Sequence, residues 1–167
     1  MRSYTPAKEK STWLPTVPNG TFKCGHCNVC DIVSKTKGFT HPVTLATYPT
    51  RHFINCKSTH VIYILQCGLC EAFYVGRTKR RFQDRLSEHK YAARVGNCEY
   101  AMTRHFVETH NNKTVKFSAM GIDCVPSTPR RGDRQKILNQ KENRWIYKLN
   151  ATSTPGLNDS FEMMPFL

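Results

Sequence analysis

Sustained apolar patterning begins only at Val61. The run Val61-Ile62-Tyr63-Ile64-Leu65 is followed by Ala72-Phe73-Tyr74-Val75-Gly76, with a short polar stretch between them. Both runs are rich in β-branched and aromatic residues, which predicts a hairpin of strands over 61–65 and 72–76. Thr78 then suits an N-cap, and Phe82, Leu86, His89 and Ala93 recur at helical spacing as far as Gly96, predicting a helix over 79–95. A second helix is expected over 98–109, a third strand over Val115–Val125, and a last helix over 133–150 striped by Leu138, Trp145 and Leu149. Strands and helices mixed in this order give an α/β chain of the mixed α+β kind.

The pattern also divides the chain. Residues 1–23 are rich in Pro, Thr, Ser and Lys without periodicity and read as a flexible leader. Residues 24–58 hold four cysteines and few periodic apolar side chains, too few to fold by burial alone, so a staple is expected. Residues 59–160 carry the patterned elements, and 161–167 form a tail.

Charge and cysteine content sharpen the picture. A net charge of +13 favours a polyanionic partner such as nucleic acid. No run of apolar residues reaches membrane-spanning length and no secretory signal opens the chain, so an intracellular, reducing setting is expected, without a membrane partner. In that setting eight cysteines, six of them closely grouped, point to metal ligation before disulfides, a disulfide scaffold being the rival.

Two ionisable groups break the helical stripes. Glu142 falls in angle among Leu138, Trp145 and Leu149, where a carboxylate is costly unless it binds a cation or a partner arginine. His89 lies in line with Phe82, Leu86 and Ala93, and Arg85 sits about 60° to one side.

Taken together, Val61-Ile62-Tyr63, Tyr74-Val75-Gly76, the Arg85-Leu86-Ser87-Glu88-His89 helix, Lys141-Glu142-Asn143-Arg144-Trp145-Ile146 and Gly156-Leu157-Asn158 resemble the GIY-YIG endonucleases. The Cys-x-x-Cys between the tyrosine strands makes the chain most similar to the endonuclease domain of Penelope-like retroelements. That resemblance implies a small three-stranded antiparallel sheet flanked by helices with a zinc-stapled N-terminal extension. It also implies metal-dependent cutting of a DNA strand, with Glu142 holding Mg2+ or Mn2+ and Arg85 bracing the phosphate. Tyr63, preferred over Tyr74, would activate or orient water, with His89 as the rival base and Asn158 orienting a tyrosine or a phosphate oxygen. Val61 stands where the family's first motif has glycine, a departure that suits a strand.

The same resemblance pairs Cys67 and Cys70 with His105 and His110 as a structural Zn2+ site, and the Cys-x-x-Cys turn and His-x4-His spacing suit that ion. The helix should end or distort near His110, because five residues turn the second imidazole about 140° from the first. Cys24, Cys27, Cys30 and Cys56 form a second candidate zinc group, in which His26 or His41 could replace one cysteine. Cys98 and Cys124 are left as small buried residues. Arg77, Lys79, Arg80 and Arg81, with Arg130, Arg131 and Arg134, suit a DNA phosphate backbone. Further implied are a nuclear setting and, as partners, a reverse transcriptase domain and element RNA. The competing reading is a zinc-stabilised nucleic-acid-binding module without catalysis.

Overall fold

A computed structural model describes residues 17–111, 116–127 and 133–160. The hairpin is there, and longer than its apolar runs: β5 (Val61–Cys67) pairs antiparallel with β6 (Phe73–Thr78). β7 (Phe117–Cys124) lies antiparallel on the other side of β5, so the sheet order is β6-β5-β7. Three helices flank it: α1 (Phe82–Val95), α2 (Ala101–His110) and α3 (Arg134–Lys148). The fold is therefore mixed α+β, built on a small three-stranded antiparallel sheet.

Helix ends follow local chemistry. α1 starts three residues later than the pattern suggests, because Thr78 completes β6 and its hydroxyl donates to the Arg80 carbonyl, leaving Arg81 as the N-cap. Gly96 closes α1 in the left-handed region as expected. α2 ends at His110, with Asn111 left-handed after it. Asp133 caps α3 by accepting from the Gln135 N–H at 2.8 Å.

The sheet has two differently covered faces. Val61, Tyr63, Leu65 and Cys67 of β5 face Phe82 and Leu86 of α1 and Met102 and Phe106 of α2. Ile62 and Ile64 face the other way, with Phe73, Val75, Met120 and Ile122, against Leu138 and Ile146 of α3. This is the alternation of a strand buried on both sides.

The N-terminal segment is not held by cysteines alone, as its composition suggests. Val29, Val33, Phe39 and Ile54 are fully buried, each stabilising by about 1.5–3 kcal/mol. Nor does the leader run to residue 23: β1 (Gly20–Phe22) pairs parallel with β4 (Phe53–Asn55), while β2 (Gly38–Thr40) pairs antiparallel with β3 (Thr47–Pro49). The Thr21 hydroxyl donates to the Gly121 carbonyl at 2.8 Å, and the Ser34 N–H donates to the Ala119 carbonyl at 2.9 Å. Residues 24–58 thus share a core with the sheet. Sequence patterning missed this because a few well-placed apolar residues in irregular chain carry no period.

Candidate active site and two cysteine-rich groups

Register decides which side chains meet. Tyr63 stands opposite Gly76 and Leu65 opposite Tyr74, so both tyrosines lie on the α1 face of the sheet, two positions apart. Gly76 makes room for them. A Cβ there would sit 2.7 Å from Tyr63 Cζ and Oη and 2.8 Å from Tyr74 Cε1.

α1 brings Arg85 and His89 over these rings. Arg85 Nε donates to Tyr63 Oη at 3.0 Å, and Tyr63 Oη lies 2.8 Å from His89 Nε2. His89 also packs against both phenols, with ring centroids 5.7 Å from Tyr63 and 6.1 Å from Tyr74. Burial, helped by the Arg85 charge, pulls the His89 imidazole down to about 3, so it is neutral at physiological pH. The phenol oxygen accepts from Arg85, and the His89 tautomer sets the direction of the Tyr63–His89 hydrogen bond, with Nδ1 as the other ring nitrogen. That Nδ1 is buried without a hydrogen-bond partner among the described residues.

Enclosure separates the two phenols. Tyr63 is wholly buried and burial pushes it above the usual range. Tyr74 is only partly buried; burial raises it too, against the pull of Arg85 and Arg77. Solvent reaches Tyr74 but not Tyr63, the phenol preferred from the sequence for activating or orienting water.

Glu142 is buried inside the α3 stripe, as its angle implies, and its carboxylate is ion-paired with Arg77. The alternation of β6 puts Arg77 on the α3 face with Phe73 and Val75, opposite Tyr74. The carboxylate and the phenols therefore belong to different faces of the sheet. Beside Arg77, a cavity of about 240 Å³ is lined by Arg77, Lys79, Arg80 and Arg85 with Gln135 and Leu138. A magnesium-like cation takes one or two carboxylates and fills its shell with waters and phosphate oxygens. Glu142 offers one such carboxylate, and it fits the ion only with Arg77 turned aside.

Asn158 has a different task from the one expected. Its Oδ1 accepts from the Val75 N–H at 3.0 Å and its Nδ2 donates to the Val75 carbonyl at 2.8 Å. Both ends of the amide are used on β6 between Tyr74 and Gly76, so Asn158 positions the strand and touches neither phenol. Among the basic residues, Arg80 pairs with Glu88, Arg81 with Asp84, and Arg134 donates to the Val125 carbonyl. Arg77, expected to contact DNA, is taken by Glu142. Arg130 and Arg131 lie outside the described residues.

Two polar contacts escaped the sequence reading. Tyr100, just before α2, lies under the Arg85 guanidinium at 5.4 Å and edge-on to His89 at 5.2 Å; nothing in its sequence position signals that. Asp123 on β7 accepts from Lys141 Nζ at 2.7 Å and from Trp145 Nε1 at 3.2 Å, a second polar tie between α3 and the sheet.

Both cysteine-rich groups are assembled. In each of the sets Cys24, Cys27, Cys30, Cys56 and Cys67, Cys70, His105, His110, the ligand atoms lie within 4.8 Å of one another. A zinc tetrahedron has S···S edges of about 3.8 Å and S···N edges of about 3.6 Å. Here Cys30 Sγ is 3.3, 3.5 and 3.8 Å from those of Cys27, Cys24 and Cys56, while Cys70 Sγ is 3.2 Å from His105 Nε2 and Cys67 Sγ 3.6 Å from His110 Nε2. Each group could hold a zinc ion. All eight cysteines are free thiols, against the disulfide scaffold. His41 is no substitute ligand, since its Nε2 donates to the Leu149 carbonyl and its Nδ1 accepts from the Val43 and Thr44 N–H groups; His26 is likewise outside the group. Cys98 is exposed and Cys124 half-buried, not core residues as expected.

No protein-family model, curated protein or solved structure matches this chain. No helix among the described residues is long and apolar enough to cross a membrane.

Proposed function

We propose that the chain is a metal-dependent DNA endonuclease of the GIY-YIG type, most like that of Penelope-like retroelements, which nicks a strand by hydrolysis. The observation that supports it best is the Arg85–Tyr63–His89 chain packed beside Tyr74, with Arg85 also lining a cationic cavity that it shares with Arg77, the partner of Glu142. Tyr63 and His89, both neutral and enclosed, hold the Arg85 side chain in place. Its Nη1 donates to Glu88 at 2.9 Å, and the N–H groups left over would face a phosphate in the cavity, with Lys79 and Arg80 adding positive potential. Tyr74 hydrogen-bonds and orients the attacking water. Glu142 would hold Mg2+ or Mn2+, which supplies charge neutralisation at the scissile phosphate and the leaving oxygen. Arg77, released from Glu142, joins the cations on the phosphate. Water's oxygen bonds to phosphorus as the bond to the 3′ oxygen breaks, and the 3′ oxygen ends protonated. In the reading carried over from the family, that exposed 3′ end primes a reverse transcriptase domain on element RNA in the nucleus.

A second reading is a zinc-stabilised nucleic-acid-binding module that does not cut. It is favoured by the Arg77–Glu142 pair, which satisfies the buried carboxylate without a cation. Supercoiled-plasmid nicking in Mg2+ or Mn2+ separates the two. The nuclease reading expects the parent protein to relax the plasmid and Glu142→Ala to leave it intact. Binding without nicking by the parent protein selects the module.

A further inference from the structure

Another cavity lies away from the β6 edge. It is a groove of about 1070 Å³ between the first cysteine group, the C-terminal half of α1 and the start of β7. Four cations reach it from three separated stretches of chain: Lys23, Lys90, Arg94 and Lys116, against the single carboxylate of Asp31. Lys90 ties the walls together, its Nζ donating to Asp31 Oδ2 at 2.8 Å and to the Asn28 carbonyl at 2.9 Å. Lys116 is anchored by its carbonyl, which accepts from the Gly68 N–H at 2.7 Å, while its side chain packs over Gly68. Arg94 lies over the Tyr91 ring at 5.7 Å. Beneath them, Val33, Ala93 and Phe117 give a buried apolar floor.

This groove is not a continuation of the candidate active site. From Arg85 to Arg94 is nine residues, about 13 Å along the helix and half a revolution around it. The two cationic regions therefore flank α1 on opposite sides. Four cations against one carboxylate leave the groove net positive, which suits the phosphates of a polynucleotide strand.

The geometry points to a second nucleic-acid site here, one that holds a single strand by its phosphates and is separate from the strand at the β6 edge. It stands whether or not the chain cuts DNA. Fluorescence anisotropy with labelled 12-nucleotide oligo(dT) and oligo(U) on the zinc-loaded protein tests it, and the two probes tell a DNA strand from an RNA strand. Arg94→Glu with Lys116→Glu should weaken binding of the preferred probe tenfold or more. Arg94→Gln with Lys116→Gln should lower the salt slope by about 1.4, two phosphate contacts at about 0.7 each. Lys148→Glu, on α3 and in neither cationic region, should leave single-strand affinity within twofold. The inference fails if neither probe binds or if the double variants keep parental affinity. It fails equally if Lys148→Glu weakens binding as much as they do. Zinc content and circular dichroism matching the parent protein show that the variants are folded.

Discussion

The two faces of the sheet are fastened by different chemistry. On the α1 face, two polar groups are neutral, enclosed and turned toward each other, Tyr63 on His89, with Arg85 beside them ion-paired to Glu88 at 2.9 Å. Both cysteine-rich groups also pack on this side, with Cys67 and Cys56 in its core. On the α3 face the polar ties are ion pairs, Arg77 with Glu142 and Lys141 with Asp123, set around Leu138 and Ile146. Exposed or half-exposed ion pairs contribute little, whereas metal ligation contributes folding free energy directly. The face with the candidate chemistry should thus depend on metal, and the opposite face on apolar packing.

Stripping zinc with 1,10-phenanthroline would test this most severely. If each group holds an ion, a loss of about 5 kcal/mol is expected, lowering Tm by roughly 10–20 °C. Calorimetry of treated and untreated protein shows it, and an unchanged Tm would put both faces on the same footing.

Acid should discriminate next. Unfolded, His89 takes a proton near pH 6.5, which the folded site refuses until about pH 3. The stability it contributes is complete above 6.5 and is lost as pH falls toward 3, by up to a few kcal/mol. His89→Gln should flatten urea-denaturation midpoints across that window relative to the parent protein. Parallel pH profiles would mean that His89 is not the buried neutral group described.

Gly76→Ala drives a methyl into Tyr63 and Tyr74, and should cost about 1–3 kcal/mol along with nicking, measured by denaturation and plasmid assay. The matching change on the α3 face, Arg77→Gln, should cost about 1–3 kcal/mol, since it leaves the buried Glu142 carboxylate without its partner although Arg77 itself is 39% exposed. It should also tighten Mn2+ binding in titration calorimetry by freeing Glu142; weaker Mn2+ binding would count against Glu142 as a cation ligand.

The contrast also explains what could be read from the sequence. Regular elements were legible because Val61–Leu65 and the Leu138 stripe carry clean periods, and the clustered cysteines of both ligand sets because their spacing is local chemistry, whereas the pairing with His105 and His110 came from the family resemblance. Glu142 was legible as an anomaly, but its partner required knowing which face of β6 Arg77 takes, a signal present in the two-residue alternation from Phe73. Asn158 could not be read, because its target is the Val75 backbone, which has no identity in sequence. Tyr100 reaches Arg85 only through the packing of α2 on α1.

Residues 155–158 lie along β6, with Phe73 donating to the Pro155 carbonyl and Leu157 donating to the Phe73 carbonyl. On the far side, Ile32 and Ser34 exchange hydrogen bonds with Ala119 of β7. Each margin of the three-strand ribbon is thereby hemmed at one end, which shortens the rim that a second copy could lengthen into a fibre.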